Sequence, residues 1–509
     1  MLQRTLVAAA VTFLGGVNAQ IYLSNYSYPF SCLAESTGVH VPGTVPCNPV
    51  EPLQQHLAFA GAGGMTVSWS THSQLDNPQV FYGESPTALT NIAYGTSTTY
   101  PSSRVWDNHV KITGLKSNTQ YWYRVSNQNC PGCAYRTTDT FTTARETGDE
   151  TPFTIAVVID LGLMGADGLS TKVGPYGGAA NPLGSNDLNT IQSLVENKEE
   201  LEGYFGNNSL IPNTTSVIEG YNVLLEQYYD QMSTLTSSKA YMANCDNGGT
   251  TDKIHNITYT TSICVPGQLN FTGYINHFRM PSEESGGVGN FWYSFDYGLA
   301  HFVVLNTETD LPVGLVSPDG VGGVDAGANN GPFGYPNEQY DWFEKDLASV
   351  DRDKTPWIVV GLHRPWYIGI QNDSSADVCL QCQQAFEPLM IKYGVDLYMQ
   401  GHVHVYERNA PIANYSLDPN GLNNPSAPWN IVNGAAGHYD GLDTLEPSLP
   451  YWSVNAFDTA YGWSRLTFHN RTHLTHEFVA SANGTVLDSA TLYKAHHFSN
   501  GNGQGGNSQ

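Results

Sequence analysis

Two patterns of apolar and polar positions divide the chain. From about Leu53 to Thr143, short stretches alternate apolar and polar residues, with turn-rich segments between them. Met65–Ser70, Val80–Tyr82, His109–Ile112, Gln120–Val125 and Asp139–Thr142 read as strands at the spacing of a β-sandwich. Glu146–Glu150 is a polar linker, and beyond it the period changes. Phe153–Ile159 is an unbroken apolar run, as in a strand buried on both faces, and ends in Asp160-Leu161-Gly162. Asn186 and Asp187 are placed to cap a helix with apolar Leu188, Ile191, Leu194 and Val195, and a second helix is expected over about Val217–Met232. Phe291–Leu305 predicts two strands around a turn at Tyr297-Gly298. Pro336-Asn337 opens a helix with Tyr340, Phe343, Leu347 and Val350 on one face, and the strand Trp357–Val360 then leads to His363. A helix over Gln383–Tyr393 feeds the short strand Val395–Met399, and the C-terminal third returns to strands, including Ser464–Phe468 and a hairpin turning at Asn483-Gly484. The fold class expected is α/β: an N-terminal β-sandwich over 53–146, followed by a layered α/β unit over 151–494.

The two ends carry other signals. Met1–Ala19 combines Arg4, an apolar run from Leu6 to Gly15 and the small-residue site Val17-Asn18-Ala19, which is the pattern of a removable secretory signal. It is shorter than the roughly 20 apolar residues a membrane span needs, and no later stretch reaches that length. The mature protein is therefore expected to be soluble and extracellular. Residues 20–52 form an irregular extension, and 495–509, rich in Asn, Gly, Gln and Ser, a disordered tail. Nine Asn-x-Ser/Thr sites (Asn25, Asn207, Asn213, Asn256, Asn270, Asn372, Asn414, Asn470 and Asn483) predict N-glycans. The eight cysteines are an even number in an oxidising setting and predict disulfides, with Cys32–Cys47 and Cys245–Cys264 as the sequence-near pairings. Cys130-x-x-Cys133 and Cys379-x-x-Cys382 also have zinc-ligand spacing, but thiolates persist poorly outside the cell. A net charge of −25 repels nucleic acid and anionic membranes, so neither is an expected partner.

Candidate chemistry lies at the strand ends. In Gly401-His402-Val403-His404, an extended chain sends both imidazoles to one side, and the glycine allows a sharp turn before them. Asp160 and His363 also follow predicted strands, and in open α/β sheets ligands gather outside the carboxyl ends of the strands. One carboxylate and three imidazoles suit zinc, iron or manganese, so Asp160, His363, His402 and His404 are the candidate metal ligands. No catalytic residue is assigned.

The string Gly-His-x-His-x-Tyr-Glu-Arg resembles the last ligand motif of the purple acid phosphatases. Ile159-Asp160-Leu161-Gly162 and Val360-Gly361-Leu362-His363, followed by Arg364-Pro365-Trp366-Tyr367, resemble two more of that family's five motifs. The resemblance runs from roughly Pro52 to Lys494 and is strongest to fungal secreted members; Trp69 and the run Gly114–Tyr123 resemble a fibronectin type III domain. It implies a metallophosphoesterase fold and a centre of iron with zinc, manganese or a second iron. Such a centre hydrolyses phosphomonoesters at acid pH, the metals polarising the phosphoryl oxygens and supplying hydroxide. It further implies that Asp160 and His404 serve one metal and His363 and His402 the other, with Arg364 and His438 as candidates for contacting phosphate.

Two family motifs, Gly-Asp-x-x-Tyr and Gly-Asn-His-Glu/Asp, have no counterpart. Leu194-Val195 runs straight into Glu196–Glu202, and Ala240-Tyr241-Met242 into Ala243-Asn244-Cys245-Asp246; Asn276-His277 lacks the glycine and the acid. Each gap is expected to remove the end of a core strand and so to expose unpaired edges. A full two-metal mechanism cannot be written for this chain. The reading is an acid phosphatase with an incomplete centre, a splice variant or misjoined gene product ahead of a degenerate paralogue. A non-catalytic secreted glycoprotein scaffold and a single-zinc hydrolase are the alternatives, with fewer metals or none.

Overall fold

The computed structural model describes residues 46–496 apart from Cys47, Ser102 and the segments 127–137, 162–186, 208–217, 245–250, 253–256, 259–270, 308–336, 371–377 and 438–440. The signal segment, most of the extension, the tail beyond 496, His438, the pairings Cys32–Cys47 and Cys245–Cys264, and Cys130 and Cys133 lie outside the described residues.

Three large sheets carry the fold. A four-stranded sheet, in the order Asn91–Tyr94, Gln79–Gly83, Gln120–Ser126, Asp139–Thr142, forms one wall of the N-terminal sandwich. The other wall, Leu53–Phe59, Met65–Thr71, Trp106–Ile112 and Thr96–Thr98, is part of a ten-stranded sheet. That sheet continues from Leu53–Phe59 through Ala240–Asn244, Gly203–Asn207 and Phe153–Val157 to the C-terminal strands Gly462–Phe468, His473–Ala480 and Val486–Tyr493. The link between the two parts is a single parallel pairing, Leu57 with Ala240.

A seven-stranded sheet faces it, in the order Tyr293–Tyr297, Ala300–Val304, Trp357–Gly361, Leu397–Gln400, Trp429–Asn433, Tyr406–Asn409, Ser453–Phe457. Its four strands from Ala300–Val304 to Trp429–Asn433 are parallel, so their carboxyl ends lie together. Side-chain alternation divides each strand between two cores. Trp357 and Val359 point between the sheets, whereas Ile358 and Val360 pack under the helices Glu338–Ser349 and Leu380–Tyr393. Phe153 stacks on Phe468 at 4.6 Å, and Phe302 meets Phe468 at 5.8 Å across the sheet–sheet gap. Phe343 and Phe386 join the two helices at 6.0 Å.

Two expectations change. The helix expected after Asn186 and Asp187 spans Thr190–Asn197 and is capped by Asn189. Asn189 Oδ1 accepts from Gln192 N–H at 2.9 Å and Gln192 Oε1 accepts from Asn189 N–H at 3.1 Å, a reciprocal capping box that outcompetes the earlier polar pair. The central strand slot is also filled. Gly203–Asn207 pairs in parallel with Ala240–Asn244 over five residues and with Phe153–Val157 at Tyr204–Ala156 and Phe205–Val157. Glu202, just before it, donates its N–H to Thr154 O, and its carboxylate receives Arg145 and Tyr297. The expected unpaired edge is thereby closed by a substitute strand.

Candidate metal centre

Asp160 lies three residues beyond the Phe153–Val157 strand, fully buried, with a left-handed backbone at φ 59°. His402 follows Leu397–Gln400 and Gly401 and is left-handed too, at φ 67°. A non-glycine residue in that region costs about 1–2 kcal/mol, and here one hydrogen bond holds both turns: His402 N–H donates to Asp160 Oδ2 at 2.5 Å. Two glycines make room for the carboxylate. A Cβ on Gly401 would stand 2.4 Å from Asp160 Oδ2, and one on Gly434 2.6 Å from the same atom.

His363, one residue past the Trp357–Gly361 strand and Leu362, is buried beside them. Its carbonyl accepts from Gly401 N–H at 2.8 Å, its Nδ1 lies 3.6 Å from Asp160 Oδ1, and its Nε2 lies 3.1 Å from His402 Nδ1. Arg364 Nη1 stands 2.8 Å from His402 Nε2. A guanidinium only donates, so His402 Nε2 is the acceptor and the neutral ring carries its proton on Nδ1, where it donates to His363 Nε2. His363 then turns its Nδ1–H toward Asp160. The result is a hydrogen-bonded row of guanidinium and two imidazoles, with the Asp160 carboxylate in charge contact at its end.

Arg364 is held from both sides of its peptide. Its N–H donates to Thr307 Oγ1 at 3.0 Å, and its carbonyl accepts from Gln400 Nε2 at 2.8 Å, with Asn430 Nδ2 donating to Gln400 Oε1 at 2.8 Å behind it. His404 is fixed through its backbone: its N–H donates to Asp443 Oδ2 at 2.8 Å, and its carbonyl accepts from Asp443 N–H at 3.1 Å. The rest of the motif is structural. Tyr406 and Arg408 both bind the Asp488 carboxylate on the C-terminal strand. Glu407 accepts Gly369 N–H, and burial pushes its carboxyl up to about 7.

A two-metal centre needs several nitrogen or oxygen donors around each ion. His363 Nε2 and His402 Nδ1 are close enough for zinc–nitrogen bonds of about 2.0–2.1 Å to meet at one point. Among the described residues, no group of three or more His, Cys, Asp or Glu side chains is arranged to hold a cation. The next two strands of the sheet on one side of Phe153–Val157 are Gly203–Asn207 and Ala240–Asn244, whose last residues, Asn207 and Asn244, are paired in register. The described residues do not fit two metals.

Sequence reasoning thus names Asp160, His363, His402 and Arg364, which the fold brings into mutual contact, and His404, which is anchored by Asp443. It misses Thr307, Gln400, Gly434 and Asp443. Only Gly434, a glycine directly after the apolar strand Trp429–Asn433, carries a local signal. Asn276-His277 is no ligand pair: His277 Nδ1 lies 3.0 Å from Asp107 Oδ1 and its ring stacks on Tyr229 at 3.5 Å. Cys379 and Cys382 form a disulfide at the start of the Leu380–Tyr393 helix, in line with the disulfides expected from the even cysteine count, and not a zinc site.

Comparison with known proteins gives the family of the chain. Acid phosphatase A of Cryphonectria parasitica is 38% identical over 488 residues, covering 89% of this chain and 94% of that protein. Acid phosphatase of Aspergillus ficuum is 32% identical over 538 residues, covering 86% of each. The chain belongs to the purple acid phosphatase family. The family's N-terminal domain matches residues 52–143, the calcineurin-like phosphoesterase domain 240–406, and the iron/zinc purple acid phosphatase-like protein C domain 427–489. The fold is that of purple acid phosphatase PPD1 from yellow lupin (Lupinus luteus) seeds, with a TM-score of 0.69, 24% identity and coverage of 88% of this chain and 75% of that one. Purple acid phosphatases are phosphoric monoester hydrolases, and the family implies a dimetal centre of iron plus another metal.

Proposed function

We propose that this chain is the secreted form of a fungal-type acid phosphatase whose metal centre is incomplete. The observation that carries the reading is the ligand deficit around Asp160: Asp160, His363, His402 and His404 are the surviving ligands, and the next two strands of the sheet end in asparagines. The alignment with the Cryphonectria parasitica enzyme supports missing segments. It runs over 488 positions yet takes up only 89% of these 509 residues, so that enzyme has residues with no counterpart here. The substrates are phosphomonoesters, and the signal segment Met1–Ala19, the sandwich over 53–146 and the phosphoesterase unit over 151–494 are the working divisions. Secretion is supported by that signal pattern, and no helix among the described residues is long and apolar enough to cross a membrane.

One observation favours a second reading, a non-catalytic glycoprotein scaffold. Arg364, His402 and His363 are joined to one another by hydrogen bonds. A single experiment separates the two. p-Nitrophenyl phosphate hydrolysis at acid pH is compared between this chain and one carrying Gly-Asp-x-x-Tyr and Gly-Asn-His-Glu segments inserted after Leu201 and Ala243. The incomplete-phosphatase reading expects the restored chain to be faster by more than about 100-fold, beyond what loss of a supporting shell alone costs a metal site. A restored chain that folds and stays inactive would sink it.

A further inference from the structure

Away from the centre, the surface carries an uncharged aromatic face. Tyr415 (46% exposed), Leu417 and Tyr451 (61% exposed) lie in two short segments, 412–417 and 449–454, that contain no charged residue in a chain of net charge −25. The Tyr451 hydroxyl donates to Tyr415 O at 2.5 Å, and the Trp452 ring touches both tyrosine rings, so the segments form one surface. Exposed apolar area of this kind normally has an occupant.

The occupant is indicated by Asn414. The strands Ile412–Ala413 and Ser416–Leu417 are joined by Asn414 and Tyr415, left-handed at φ 48° and 59°, as a tight two-residue hairpin turn requires. The turn is riveted from below: Asn414 N–H donates to Glu387 Oε2 at 3.3 Å, Tyr415 N–H to the Tyr367 hydroxyl at 3.2 Å and the Tyr415 hydroxyl to Gln383 Oε1 at 3.2 Å. Glu387 and Gln383 are buried, so the turn is fixed while the Asn414 side chain stands in solvent. Asn414-Tyr415-Ser416 is an acceptor site for an N-linked glycan. Two other acceptor asparagines in the described residues, Asn470 and Asn483, use their Oδ1 atoms to hold the turns that follow them.

We propose that Asn414 carries an N-linked glycan whose proximal sugars lie over Tyr415 and Tyr451. The apolar C–H face of a pyranose packs against an aromatic ring, and the polar edge of the sugar stays in water, so the glycan covers what the net charge does not protect. The inference rests on the secretory reading of Met1–Ala19.

The test uses the full chain secreted from a yeast host. Peptide mapping after enzymatic deglycosylation in heavy-oxygen water reads occupancy at each asparagine. The expected result is an occupied Asn414 whose glycan leaves the native protein several-fold more slowly than that of Asn483. In Tyr451→Ala, occupancy stays and the two release rates become equal; Tyr451→Phe, which keeps the ring, retains the difference. Glycans at other sites with a bare Asn414 would overturn the inference and leave secretion standing, whereas no glycan anywhere would overturn both. A bare Asn414 in a concentration-dependent dimer would give the face to a second copy of the chain. Equal release rates in the unmodified chain would overturn the packing.

Discussion

At the scale of single residues, the centre depends on close approach. Gly401 and Gly434 touch Asp160 Oδ2 from two strands, and a methyl on either would also meet fixed neighbours, Ile159 Cγ2 at 2.2 Å or Val403 O at 2.3 Å. Gly401→Ala and Gly434→Ala should each destabilise the fold by about 1–3 kcal/mol, the cost of overpacking a well-filled interior, read from the urea midpoint. Midpoints unchanged from the parent would mean that the carboxylate is not wedged there. Asp488 is the other sensitive residue. It receives the Tyr406 hydroxyl, two Arg408 nitrogens and Asn455 Nδ2, so Asp488→Ala leaves a partly buried guanidinium and a buried hydroxyl without their acceptor. A loss of about 1–3 kcal/mol is expected in the same measurement. Asp160, His363 and His402 were legible as candidates because each follows an apolar strand in a distinctive motif. Thr307, Gln400 and Asp443 were not, because their roles arise only when segments far apart in the chain meet.

At the scale of elements, local pattern located the helices and strands, and competition between polar neighbours moved their ends. Asn189 won the cap because Gln192 sits three residues after it, a relation visible in the sequence but passed over for the pair upstream. The substitute strand Gly203–Asn207 was not legible, since its short Gly-Tyr-Phe-Gly-Asn stretch becomes a strand only by pairing on both sides. Several elements are tied by histidines whose titration has a definite sign. Burial lowers His56 to about 3, His109 to about 4 and His476 to about 3. Unfolding lets them take protons below 6.5, so stability falls with pH below 6.5 until the folded values are reached, by up to about 1.4 kcal/mol per pH unit for each. Glu407, raised to about 7 by burial, acts oppositely between 4.5 and 7.

His301 has the reverse sign to the buried neutral histidines. Against the desolvation that opposes it, Asp296 and Asp346 raise it to about 9 and bind it at 2.7 and 3.0 Å, joining the Tyr293–Tyr297 hairpin to the Glu338–Ser349 helix. Its contribution is complete below 6.5 and is lost as pH rises through 9. Urea midpoints against pH should therefore show His476→Asn flattening the acid limb and His301→Gln flattening the alkaline limb. Parallel curves for parent and variants would refute these assignments; the slope is the readout, so the fixed cost of each substitution does not enter.

At the scale of the whole molecule, a family fold surrounds the cluster of Asp160, His363 and His402, for which we propose an incomplete set of metal ligands. Gly203–Asn207 keeps the sheet continuous between Phe153–Val157 and Ala240–Asn244, so folding is expected to be separable from metal binding in this chain. The missing motifs were legible as absences in the sequence; their structural consequence, a repaired sheet with asparagines at its ends, was not, because pairing partners are chosen by the whole sheet. The most direct test is the metal content of the folded chain, purified without chelator and measured by elemental analysis per mole of protein. The account predicts a cooperatively folding protein with fewer than two bound metals per chain. Two tightly bound metals per chain would contradict it and would mean that other residues complete the centre.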